Sequence, residues 1–196
     1  MKTRFAHAYV LNVMSDDHPG IVAAVSSTTR RLGGNIDALS QTVVGGYFTL
    51  IMVISLPQAA DPDELAAAVQ GPAGGKTGLQ VTARPFIDCE GGTCLRKSER
   101  FVATAFGKDR PGIIALLSEY MAGKDVNITD LYWQCTDEDF VMVSQVEIPP
   151  TLDIALLQAD LEQMGRDEGF MVKLQHENVF VATNQLRLIH GTGKSG

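Results

Sequence analysis

The feature that most constrains this chain is a pattern met twice. Ser15 to Ile21, SDDHPGI, returns as Gly107 to Ile113, GKDRPGI. One offset of 92, the difference between positions 17 and 109, carries Asp17 to Asp109, Pro19 to Pro111, Gly20 to Gly112 and Ile21 to Ile113. Without a gap it also matches Asn35-Ile36 to Asn127-Ile128, Leu39 to Leu131, Phe48 to Phe140 and Pro57 to Pro149. A register held over that distance means one folding unit used twice, and 196 residues leave roughly 90 for each copy. The expected partition is a first domain over 1–88, a linker over 89–99, a second domain with a carboxy-terminal extension over 100–189, and a flexible tail over 190–196.

Each copy of the turn follows an apolar run, YVLNVM at Tyr9 to Met14 and FVATAF at Phe101 to Phe106, and leads into a helical pattern. It therefore reads as a strand-to-helix turn. Proline at the first helical position presets φ and lacks only a donor that would be free anyway. The adjacent glycine allows close backbone approach. The N–H groups that open a helix attract negative charge, by about 0.3–1 kcal/mol at an exposed site, which suits a carboxylate. The plainer reading of Pro-Gly here is punctuation.

The same logic orders the rest. The first copy reads as a strand over 6–14, a helix over 19–32 with Ile21, Val22, Val25, Thr29 and Leu32 on its buried stripe, and strands over 35–44 and 47–56 around Gly45-Gly46. Asp61-Pro62 opens a second helix over 63–69, and Leu79 to Phe86 supplies a last strand. The second copy reads as strand 101–106, helix 111–123, strands 126–135 and 140–148, a helix over 152–165 burying Leu156, Leu157, Leu161 and Met164, and strand 170–174. Extended patterns resume at Val179 to Ala182 and at Leu186 to Ile189. The order βαββαβ, twice, predicts an α+β protein of two tandem ferredoxin-like domains.

Charge bears on partners. Lys and Arg number 16 against 23 Asp and Glu, a net charge of −7 with pI near 5.0. Direct nucleic-acid binding, which runs on cations, is disfavoured. No apolar run reaches membrane-spanning length, and the amino terminus reads as a first strand, so a cytoplasmic protein with no membrane contact is expected. Cys89, Cys94 and Cys135 make no disulfide framework, and Cys89-x-x-x-x-Cys94 reads as linker thiols. The four histidines are scattered, no metalloprotease or serine-hydrolase motif occurs, and Gly191 to Ser195 lacks the leading glycine and trailing helix of a phosphate loop. The expectation is a protein without catalytic, metal or cofactor sites.

The segments DDHPGIVAAVSSTTRRLGGNIDALSQ and KDRPGIIALLSEYMAGKDVNITDLYWQ resemble the signature of ACT domains, amino-acid-binding regulatory modules with this fold. The tandem arrangement over Ala6 to Leu174 resembles proteins related to the glycine cleavage system transcriptional repressor; deformylases and uridylyltransferases with ACT domains share the turn. The resemblance implies a small ligand held between units, where the turn of one faces the start of the second strand of another. It implies binding residues Asp17, His18, Pro19, Gly20, Ile21 and Asn35 in the first copy, and Asp109, Arg110, Pro111, Gly112, Ile113 and Asn127 in the second. The asparagine amide offers both donor and acceptor to a zwitterion. Asp17 and Asp109 read first as helix caps and only second as ligand contacts, while Asn35 and Asn127 read equally as turn residues. Trp133, opposite Gln41 in the repeat, reads as packing against a neighbouring domain. The implied partners are an amino acid, a protein partner and a second copy in a homodimer. A ligand-independent scaffold and a regulatory subunit of a separate enzyme stay open as alternatives.

Overall fold

The computed structural model of the protein describes residues 1–71, 78–88 and 98–182. The chain divides into two units, Met1–Gly92 and Thr93–Gly196. The first runs β1 (His7–Asp16), α1 (Ile21–Arg31), β2 (Asn35–Val44), β3 (Tyr47–Leu56), α2 (Pro62–Gln70) and β4 (Gln80–Pro85). The second runs β5 (Glu99–Lys108), α3 (Ile113–Gly123), β6 (Asn127–Thr136), β7 (Asp139–Ile148), α4 (Ile154–Glu168) and β8 (Phe170–His176). The sheets have orders β2-β3-β1-β4 and β6-β7-β5-β8, with every pairing antiparallel. This is the βαββαβ unit twice, as the repeat predicts.

Alternation builds each core. Leu11 and Val13 on β1 and Leu50, Met52 and Ile54 on β3 point one way and are fully buried with Ile21 and Val25 of α1 and Leu65 and Val69 of α2. Ala103, Ala105, Phe140, Met142 and Val146 do the same under Leu117, Met121, Leu157 and Leu161. Each such leucine or phenylalanine contributes about 1.5–3 kcal/mol. On the other face the intervening residues Met14, Ile51, Phe106, Val141 and Met171 remain exposed. The repeat reaches backbone detail: the register slips between Ile36 and Ala38 and, at the same offset, between Ile128 and Asp130. Gly45 and Gly46, φ 60° and 86°, give the two left-handed residues of a tight hairpin. Gly33 ends α1 with φ 72°, and Asp125 takes its place with φ 59°.

Several expectations are corrected. Pro19 and Pro111 precede the helices instead of opening them, because glycines occupy the cap positions. Leu32 is 40% and Leu156 57% exposed; α1 and α4 bury Thr28 and Gly165 instead. Trp133 does not need a neighbouring domain: its ring stacks on Phe140 of its own unit at 4.3 Å and 8°. Residues 179–182 are helical; four apolar residues do not separate strand from helix by period. The linker thiols Cys89 and Cys94, the segment 186–189 and the tail 190–196 lie outside the described residues.

Candidate functional site

The two helices that follow the repeated turn open differently from the other two. α1 has Gly20 as its N-cap (φ 104°, ψ −7°) and α3 has Gly112 (φ 99°, ψ −6°), neither with a side-chain cap. In contrast, Asp61 Oδ1 accepts from Asp63 N–H at 2.9 Å and Glu64 N–H at 3.1 Å, and Asp153 repeats those bonds at α4. Asp17 and Asp109 are thus not caps. The first ladder bonds are Ala24 N–H to Gly20 O and Leu116 N–H to Gly112 O, both 2.9 Å, so the N–H groups of Ile21 and Ile113 precede the ladder. Each turn is tied to its own hairpin, Asp17 N–H to Gly46 O at 2.8 Å and Asp109 N–H to Glu138 O at 2.7 Å.

With matching backbones, the side chains diverge. His18 Nδ1 lies 3.1 Å from Pro19 O, while its Nε2 is buried without a partner among the described residues. Because a carbonyl only accepts, Nδ1 donates in this contact and Nε2 is the ring nitrogen left without a partner. Arg110 instead donates to both the carbonyl and the carboxylate Oε2 of Glu168, the latter at 2.9 Å. These residues, with Pro111, Gly112, Ile113 and Leu116, line a cavity of about 420 Å³ at the opening of α3. Cys135 Sγ donates to Asp109 Oδ2 at 3.3 Å and accepts from Trp133 Nε1 at 3.0 Å. Desolvation and the Asp109 carboxylate raise its thiol pKa, against the indole N–H. Such a thiol stays protonated at neutral pH and is a poor nucleophile.

At the strand starts the divergence reverses. Asn35 donates to Asp37 Oδ1 at 2.7 Å and to Ile36 O at 3.2 Å, and Asp37 Oδ1 also accepts Arg4 N–H at 3.0 Å. Burial pushes the Asp37 carboxyl up. Bonds from Ser55, Arg4 N–H and Asn35, with the Arg4 charge, outweigh it and hold the pKa below its ordinary value. Asn127 is exposed and makes no side-chain hydrogen bond among the described residues. Within one unit, turn and strand start lie at opposite ends of the sheet. Asn35 pairs with Ser55 and so with Ala8, nine residues before Asp17, roughly 30 Å at strand rise. No single unit brings Asp17 to Gly20 together with Asn35, or Asp109 to Gly112 together with Asn127. Sequence reasoning missed Asp37, although Asn-x-Asp at a strand start signals a local bond, and Glu168, which had no signal at 58 residues from Arg110.

The comparisons agree with the geometry. The ACT-domain family model matches residues 7–79 and 99–175. A UPF0237 protein of Methanosarcina acetivorans is 38% identical over 84 residues, 42% of this chain and 91% of that relative. A UPF0237 protein of Corynebacterium glutamicum is 33% identical over 86 residues, 43% of this chain and 97% of that relative. A Galdieria sulphuraria protein of unknown function superposes with a TM-score of 0.71 at 22% identity, over 87% of this chain and 98% of the other. A candidate glycine cleavage system transcriptional repressor superposes with a TM-score of 0.64 at 17% identity, over 86% and 96%. At those identities the two structures speak for the fold alone.

Proposed function

The chain belongs to the ACT-domain family, and from that premise we propose that it is a non-catalytic regulator that binds a free amino acid and signals through protein association. The observation that carries this reading is the pair of uncapped helix openings at Gly20 and Gly112, set against the aspartate-capped openings of α2 and α4. Backbone N–H groups at Gly20–Ile21 and Gly112–Ile113 take the ligand carboxylate. The ammonium group faces Asp17 or the unpartnered Nε2 of a neutral His18, and in the second copy Asp109. Since a turn and a strand-start asparagine lie at opposite ends of one sheet, a ligand that touches both bridges two units. It then shifts their docking equilibrium by its differential affinity and by no more.

Exposed Met14, Ile51, Phe106, Val141 and Met171 on the sheet faces support association with a second copy or another protein. Among the described residues no helix is long and apolar enough to cross a membrane, and no His, Cys, Asp and Glu group is placed to hold a metal. With a net charge of −7, a role like that of the glycine cleavage repressors runs through a protein partner and not through operator contact. Calorimetry with the common amino acids on wild type, Asn35→Ala and Asn127→Ala tests the reading. One amino acid should bind, and one variant should lose it. No binding to wild type leaves a ligand-independent scaffold, and binding unchanged in both variants removes the asparagines from the site.

A further inference from the structure

At the end of α1 away from the turn, the first unit holds a cavity of about 460 Å³ walled by Leu32, Leu56, Pro57, Ala60, Leu65 and Ala68. The second unit shows why it is open. At the offset of 92, Tyr120, Lys124, Leu152 and Asp160 stand where the first unit has Thr28, Leu32, Ala60 and Ala68. The correspondence is secured by Gly20 and Gly112, which both cap, and by Asp61 and Asp153, which both cap with the same bonds. Tyr120 donates its hydroxyl to Asp160 Oδ2 at 2.7 Å. Lys124 Nζ lies 3.7 Å from that carboxylate and 5.5 Å from the Tyr120 ring centroid. Together they bridge α3 and α4, and Leu152 packs on the core of the same unit. The first unit has small or uncharged side chains at all four positions and, among the described residues, no such bridge between α1 and α2.

The cavity wall is preformed. Tyr9 hydroxyl donates to Ala60 O and accepts from Ala60 N–H, both at 2.8 Å, which pins the loop to β1. The one charged lining group is Glu64, whose carboxylate has no ion pair or hydrogen bond among the described residues. Arg31, on the last turn of α1, is directed onto Thr28 Oγ1 at 3.3 Å. A solvent-open groove of this size, largely apolar in its side chains and carrying one unpaired carboxylate, suits a small ligand with an apolar body and a cation. The ring and ammonium of Tyr120 and Lys124 are the same combination, built into the counterpart groove.

We propose that this cavity binds a small arylalkylamine, its ring against the exposed Leu32 and the loop at 57–60, over the buried Leu56 and Leu65 that floor the site, and its protonated amine on the exposed Glu64. The site is separate from the helix openings and does not depend on the reading given for them. The probes are phenethylamine and its uncharged counterpart 2-phenylethanol, added to the full chain and followed by leucine-methyl NMR and calorimetry. Both should shift the Leu32, Leu56 and Leu65 methyl signals, with phenethylamine binding about threefold tighter, as an exposed ion pair allows. Glu64→Gln should abolish that preference and leave 2-phenylethanol binding as it was. Ala60→Leu, and the transplant T28Y/L32K/A68D, should lose both ligands; if the transplant does not fold, Ala60→Leu decides. Absence of any methyl shift with either probe, or unchanged binding by Ala60→Leu, overturns the site. A preference that survives in Glu64→Gln overturns the assignment of the amine.

Discussion

Replacing Gly112 by alanine isolates the backbone cost of the uncapped helix opening. A Cβ built there meets nothing within 4 Å, so no packing term enters. The residue sits at φ 99°, ψ −6°, beyond the left-handed basin that L-residues visit at φ near +60°. Holding a non-glycine residue in such a region costs about 1–3 kcal/mol. The stiffer unfolded chain returns about 0.4–1 kcal/mol, which leaves a net loss of roughly 1–2 kcal/mol. For a unit of roughly 90 residues with a urea dependence of about 1 kcal/mol per molar, the midpoint should fall by roughly 1–2 M. The chain's single tryptophan, Trp133 stacked on Phe140 in the second unit, reports that unit by fluorescence. Asparagine, which tolerates positive φ better, should cost less than alanine. A midpoint unchanged or raised in Gly112→Ala, or a larger loss with asparagine, refutes the backbone account. Gly20→Ala, at φ 104° with the same open surroundings, should lose the same amount by circular dichroism.

The same substitution elsewhere should act through sterics. Gly165→Ala, inside α4, would ordinarily gain about 1 kcal/mol in helix propensity. Here the new Cβ would stand 2.5 Å from Phe170 O. That strand cannot retreat, because Phe170 is also pressed against Gly107, where a Cβ would meet Phe170 Cα at 2.8 Å. Overpacking of about 1–3 kcal/mol should win, and urea unfolding followed at Trp133 checks the sign; any stabilisation contradicts it. Asp37→Asn should flatten the acid side of the first unit's stability curve. The folded carboxyl is held below its ordinary 3.8, so its contribution is complete above that value and is lost as pH falls through the lower folded-state one. Urea midpoints by circular dichroism between about pH 5 and pH 2 should fall more steeply for wild type than for the variant. Parallel curves would remove Asp37 from the account.

Much of the fold was legible because a gapless repeat lets each weak local signal be read twice. Gly33 alone is an ordinary helix stop; Gly33 and Asp125 at one offset, both left-handed, mark one joint in one architecture. The strands 35–44 and 47–56 were bounded by glycine pairs whose backbone needs leave little choice. Legibility fell where long-range partners decide. Arg110 and Glu168 are brought together by β5 pairing with β8, and no local pattern announces that meeting. Trp133 finds Phe140 diagonally across the β6–β7 hairpin, a partner that register reveals and hydrophobicity does not. The candidate site was legible as chemistry but not as accessibility: both asparagines were visible, yet only the structure separates Asn35, held by Asp37, from Asn127.

That separation makes Arg110 a discriminating probe of the second opening. Its ion pair with Glu168 joins side chains 51% and 44% exposed, so Glu168→Gln should cost less than about 1 kcal/mol of stability, the more so because the bond to the Glu168 carbonyl survives. The effect on a bound carboxylate is different in kind. Glu168 and Arg110 line the same cavity, and their charges oppose each other there. Removing the acid leaves a guanidinium facing the anion, worth about 1 kcal/mol at 4 Å in water, or about fivefold tighter binding. Screening should erase most of that gain by 1 M salt, where the Debye length is about 3 Å. Calorimetry of wild type and Glu168→Gln at low and high salt separates the cases. An affinity that ignores Glu168→Gln at low salt places the ligand carboxylate away from this helix. The remaining uncapped opening is then that of α1, where His18, not an arginine, stands at the position of Arg110.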